Sequence, residues 1–306
     1  MKWLRLFLLL VLFTALTALF TILLRPLVPV VVHGGAGAPT APPVDGWKVT
    51  PGFGPSVLLP RHGQPASAPA ATAAVPSPSA EKLPVGPKVA IIVTELGLDP
   101  GRERRMIDRL PPQISLAFLP AAAASHDLAA YAALQGREVW IGLPMQPRGW
   151  PRISPGEGML KLGDPPARNA RRVEWALGRI DNPMGAYVMM GSAFTTDAAA
   201  LAPVAQAVRR HGIVLLDTRS TPHSRVAAVV GAAGGRVLVN NLFIDHRTSA
   251  AAIDANLARL VAQARRHGTA IGLARALPVT VERVSAWAAT LDKAGVTLVP
   301  AARLAR

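Results

Sequence analysis

Ile91-Ile92-Val93-Thr94-Glu95-Leu96-Gly97-Leu98 is the stretch that decides the fold. An apolar run of this length suits a strand covered on both faces, as in a parallel sheet. It stops on a polar pair beside a glycine, at the strand end where β/α proteins gather their chemistry. From Val89 onward the same rhythm repeats. Strands are expected at 89–94, 114–118, 138–143, 186–190, 213–216, 237–239, 269–273 and 297–299. Helices fall between them at 101–110, 127–135, 165–179, 197–210, 226–230, 250–266 and 281–294. Asp197 and Ser249 stand where helix N-caps belong, and Gly268 and Gly295 where helices stop. The alternation predicts a parallel α/β domain. It is consistent with a barrel and with an open doubly wound sheet alike.

Ahead of this domain the chain changes character. Residues 6–24 contain no charge, Gly or Pro. As a helix they would be about 28 Å long, enough to cross a bilayer. Lys2 and Arg5 precede them and favour a cytoplasmic start under the positive-inside rule. We read 1–25 as a transmembrane signal anchor; Gly35-Ala36-Gly37-Ala38 is the alternative, a cleavage site. Residues 26–87 are rich in Pro, Ala, Gly and Ser and read as a disordered linker. Residues 88–306 form the folded domain. These segments place a single-pass protein in an inner membrane with its C-terminal domain in the periplasm.

Half of the 306 residues are hydrophobic and only 5% aromatic, so an aliphatic core is expected. There is no cysteine, which excludes disulfides, thiolate metal sites and a Cys nucleophile. The formal charge is +15. Paired arginines such as Arg171-Arg172 and Arg265-Arg266 fall on helices without interleaved aromatics, so no nucleic acid is expected as a partner. Walker, nucleophile-elbow and His-Xaa-Xaa-Xaa-His patterns are absent.

In a parallel sheet the residues closing each strand share one rim. Those residues are Glu95, Gln146, Ser192, Asp217 with Arg219, Asp245 with His246, and Arg275. Glu95 and Asp217 are the candidate catalytic carboxylates. Gln146, Ser192, Arg219, Asp245 and Arg275 are candidate substrate-binding residues, and Asp245 with His246 is an alternative metal pair. Each also has a plain structural reading: Glu95 as a cap for the next helix, Asp217 with Arg219 as a loop-holding ion pair, Asp245 as a turn cap. His211 and His267 end helices, where imidazolium meets the dipole, and read as structural.

At these strand ends the sequence resembles the divergent polysaccharide deacetylase family. The matching pieces run in order: 91–98, 114–120, 143–147, 190–195 (Met-Gly-Ser-Ala-Phe-Thr), 216–221 (Leu-Asp-Thr-Arg-Ser-Thr), 242–245 and 297–300. The resemblance implies a distorted (β/α) barrel and metal-dependent hydrolysis of acetylated glycans. The family's pattern has two aspartates where Thr94 and Glu95 stand, and Asn-Asn-His where Tyr187, Val188 and Met189 stand. Arg275 stands in the place of a histidine, and Gln146 in the place of a glutamate. Asp217, Arg219 and Asp245 match. The lost ligands imply that no metal cofactor is held and that the domain binds a cell-envelope glycan or an envelope protein without hydrolysis. The alternatives are an esterase with a rewired site using a divalent ion such as zinc, and an envelope scaffold.

Overall fold

The computed structural model describes residues 83–305 and, ahead of them, two short strands. These are β1 (Trp47–Lys48) and β2 (Leu59–Pro60), an antiparallel pair inside the expected linker. The expected membrane helix at 6–24 and the rest of the linker up to 82 lie outside the described residues. Among the described residues no helix is long and apolar enough to cross a membrane.

The domain opens with β3 (Lys88–Leu96), which contains the quoted apolar run. It continues through α1 (Pro100–Arg109), β4 (Ser115–Phe118), α2 (Ser125–Leu134), β5 (Val139–Met145), α3 (Pro166–Leu177) and β6 (Gly185–Met190). Then come α4 (Ala198–His211), β7 (Val214–Asp217), α5 (Val226–Ala232), β8 (Arg236–Val239) and β9 (Leu242–Phe243). The last elements are α6 (Ala250–His267), β10 (Thr269–Arg275), α7 (Pro278–Ala288) and β11 (Thr297–Leu298), followed by a 3₁₀ turn, Ala301–Leu304. Local chemistry sets the boundaries. Asp197 accepts N–H bonds from Ala199 and Ala200, and Ser249 accepts one from Ala252. Pro166 and Pro278 sit in first turns, where a missing N–H costs nothing.

All strands of the main sheet run parallel, in the order β8-β7-β6-β5-β4-β3-β10-β9. β10 takes one edge of β3 along residues 88–94, so β4 and the short β11 share the other. The sheet curls until its ends meet. Asn240 donates its N–H to Asp217 on β7, and the next residue, Asn241, donates to Ile271 on β10. β8 and β9 do not pair with each other, so the ladder stays open at this seam. The result is a parallel-strand half-barrel, the architecture within which the expected distorted (β/α) barrel falls.

Alternation along the strands sorts side chains between two cores. The outer one, with Ile91, Val93, Ile141, Leu143 and Leu215, packs under the helices. The inner one gathers Ala90, Ile92, Trp140, Tyr187, Leu216, Ile271 and Leu273 with Ala301 and Ala302. The N-terminal end of the half-barrel is sealed around Glu138. Its carboxylate accepts bonds from Ser115 Oγ (2.7 Å), the Ala302 N–H (3.1 Å) and Trp140 Nε1 (3.3 Å).

Candidate functional site

The opposite end, where the strands finish, opens into a cleft of about 290 Å³. That is near the lower limit for a small-ligand site and fits one sugar-sized group. Even-numbered residues of β3 and odd-numbered residues of β6 and β10 face the interior, which brings Thr94, Tyr187, Met189 and Arg275 to its walls. By the same parity Glu95 would face the helices. It does not, because the β3–β4 register slips between Val93 and Leu96 and Glu95 takes a left-handed conformation (φ 67°). The bulge turns its carboxylate into the cleft mouth.

Met190 at the end of β6 (φ 58°) and Arg219 just past β7 (φ 53°) are left-handed as well. Three such non-glycine residues close three strands on one rim. Each costs on the order of 1–3 kcal/mol, and such strain concentrates at functional sites.

Asp245 and Arg275 form the polar floor. Asp245 is buried, and its Oδ2 accepts from the Arg275 main-chain N–H and from Thr280 Oγ1, both at 2.9 Å. The Arg275 guanidinium lies 3.6 Å from Oδ1 and donates to the Asp245 carbonyl at 2.8 Å. Thr94 ties this pair to β3 by donating its hydroxyl to the Ala274 carbonyl. Glu95 receives no hydrogen bond among the described residues. Burial among the cleft walls raises its pKa above the ordinary 4.5; the Arg275 charge opposes that shift and Asp245 adds to it.

Tyr187 carries a buried hydroxyl with no hydrogen-bond partner. Burial first, and the Glu95 charge second, push its pKa up, while the Glu95 main chain lies close enough to oppose the shift without bonding properly. Gly142 on β5 makes room for Tyr187 and Met189; a Cβ there would collide with the Met189 sulfur.

The structure therefore brings Glu95, Asp245, His246 and Arg275 together, with Tyr187, Val188 and Met189 beside them. Four other candidates do not line the cleft. Asp217 has the outward parity of Leu215, and its Oδ1 accepts the main-chain N–H of Arg219. The proposed Asp217–Arg219 ion pair does not form; the Arg219 side chain is exposed. Gln146 Oε1 accepts the Leu162 N–H, and Ser192 Oγ accepts the Arg148 N–H. Both therefore staple loops. The cap role considered for Glu95 belongs instead to Asp99, whose carboxylate accepts the Arg102 N–H, while Glu103 inside α1 holds the turn by accepting the N–H groups of Gly97, Leu98 and Asp99. Asp245 is not a turn cap; it clamps Arg275. His211, by contrast, is structural: it pairs with Glu174 at 2.8 Å. Thr218, Ser220 and Phe243 also line the cleft and were not singled out in the sequence. For Phe243 the signal was available, since it shares the parity of Asp245.

A divalent ion does not fit this donor set. Among the described residues no group of three or more His, Cys, Asp or Glu is placed to hold one. Asp245 is committed to a guanidinium, and the alternative pair Asp245–His246 lacks a third donor. A cation already sits where a metal would need the carboxylate, and Met189 offers only a thioether.

Comparison with known proteins agrees with this picture of a kept frame. The family model described as divergent polysaccharide deacetylase matches residues 91–305. An uncharacterized protein of Haemophilus influenzae is 29% identical over 194 residues, 63% of this chain and 68% of its own. The Escherichia coli protein YibQ, also uncharacterized, is 26% identical over 217 residues, 71% of this chain and 67% of its own. A crystal structure of an uncharacterized protein of Agrobacterium tumefaciens C58 superposes with a TM-score of 0.69 at 29% identity, covering 72% of this chain and 89% of that one. With the half-barrel, the strand-end motifs and a family match over residues 91–305 in agreement, the chain belongs to the divergent polysaccharide deacetylase family.

Proposed function

We propose that this is a membrane-anchored, envelope-facing member of the family that binds glycan in the strand-end cleft without hydrolysing it. Residues 6–24 would hold it in the inner membrane, with the domain in the periplasm. One observation carries the reading: the floor carboxylate, Asp245, is neutralised by Arg275 at the position where the family's pattern has a histidine. The half-exposed ring of Phe243 offers a face for a sugar, and Glu95, Arg275 and the unpartnered Tyr187 hydroxyl offer polar contacts. The raised pKa of Glu95 favours a second reading, an esterase in which Glu95 serves as general base.

The test is calorimetric titration of the purified chain with acetylated glycan oligomers, alongside acetate release with and without added zinc. Binding without acetate release is expected, and Arg275→Ala should weaken it about tenfold or more, as loss of a charged contact does. Zinc-dependent acetate release would establish the esterase reading instead. Unaltered binding by a folded Arg275→Ala variant would remove the cleft from consideration.

A further inference from the structure

A second surface lies on the same rim, beside the cleft and sharing Met190 with its edge. Trp150 and Ile153, 42% and 54% exposed, protrude from the loop that leaves β5. Met190, also 42% exposed, ends the neighbouring strand opposite Met145. The Arg148 N–H bond to Ser192 ties the loop to β6. Cations surround these apolar groups. Arg148 and Arg152 are exposed with no carboxylate in ion-pair reach among the described residues, and Lys161 Nζ stands 5.1 Å from the Trp150 ring centroid. The loop carries two acids, Glu157 and Asp164, and Asp164 is taken up by ion pairs to Arg168 and Arg172 on α3.

We propose that this loop docks on a bilayer surface containing anionic phospholipid. Trp150 and Ile153 enter the headgroup region, and Arg148, Arg152 and Lys161 meet phosphates. Tryptophan and aliphatic side chains flanked by cations suit that interface. An acidic protein would match the cations. It would need a shaped pocket for three separately protruding apolar groups, whereas a fluid headgroup layer admits them without shape complementarity. Docking here turns the cleft mouth toward the bilayer, because both lie at the strand ends. The proposal does not depend on what the cleft binds.

The chain lacks cysteine, so Ile153→Cys and Leu134→Cys each create a single labelling site. Leu134, 89% exposed, ends α2 at the opposite end of the half-barrel and serves as the control. The full-length variants carry an environment-sensitive dye. They are placed in nanodiscs of phosphatidylcholine with or without phosphatidylglycerol, and quenching by a doxyl lipid is measured. Quenching at 153 should exceed that at 134 severalfold, require phosphatidylglycerol and fade in high salt. Arg148→Gln/Arg152→Gln should weaken the association about 10–30-fold. Equal quenching at the two sites, or quenching at 153 indifferent to lipid charge, overturns the proposal. So does capture of an acidic protein by this loop with no quenching at 153.

Discussion

The two ends of the half-barrel each hold a glutamate whose pKa is raised by burial, and the two are used in opposite ways. Glu138, at the sealed end, accepts three bonds and joins β5, β4 and the 3₁₀ turn into one plug. Glu95, at the open end, sits on a bulge in a strained conformation and accepts none. At the sealed end the Glu138 carboxylate is fully committed to the frame. At the open end the Glu95 carboxylate and the Tyr187 hydroxyl are left without partners. A polar group left unmade in a cleft is available to a ligand; one fully bonded is part of the frame.

That contrast can be broken in a definite order of effect. Trp140 is fully buried in the inner core and bonded to Glu138, so Trp140→Ala should cost about 3–5 kcal/mol in denaturant melts. A cost below about 1 kcal/mol would mean that the inner core is not packed as described. Asp245→Ala should cost about 2–4 kcal/mol, because it removes the carboxylate facing the Arg275 guanidinium and leaves the Arg275 main-chain N–H and the Thr280 hydroxyl without their acceptor.

Glu138→Gln should change stability at neutral pH by about 1 kcal/mol or less, because the amide oxygen can still accept bonds. Its signature is pH dependence. The folded-state pKa of Glu138 is raised, so its contribution is fully present below 4.5 and is lost as pH rises through the folded value. The wild-type Tm should therefore fall over that window, and the variant should lack that part of the fall. Glu95→Gln should shift stability by no more than about 0.5 kcal/mol while altering ligand binding. A larger loss would make Glu95 a structural residue like Glu138.

Most of the fold was legible in the sequence because two-sided burial writes itself as apolar runs. The strand Val89–Thr94 and the helix caps at Asp197 and Ser249 stand where the pattern put them. Strand order and curl were not legible, since Asn240 and Asn241 reach opposite ends of the sheet through main-chain N–H groups that any sequence has and through side-chain amides whose partners, Thr218 and Ile271, lie far off in sequence. The site was half legible. Position at a strand end identified Asp245 and Arg275, but parity decides which side chains face inward. Extending the alternation from Leu216 excludes Asp217, and extending it from Ile271 and Leu273 includes Arg275. Tyr187 and Met189, recorded in the sequence only as replacements, prove to be cleft wall. Parity alone would have misplaced Glu95, because a bulge is a backbone event with no side-chain signature here.

β3 sets the order in which the chain can be completed. The Thr94 hydroxyl bonds a carbonyl 180 residues away, and the Ser115 hydroxyl on β4 bonds an N–H 186 residues away in the 3₁₀ turn. A chain emerging during synthesis can pair β3 with β4 early. The opposite edge of β3 and its inner face stay open until β10 and the 3₁₀ turn arrive. Contacts of such sequence separation slow folding, and they leave an Ile-Ile-Val run exposed for the longest time. The stretch that organises the finished domain is thus also the one that most needs protection before it is finished.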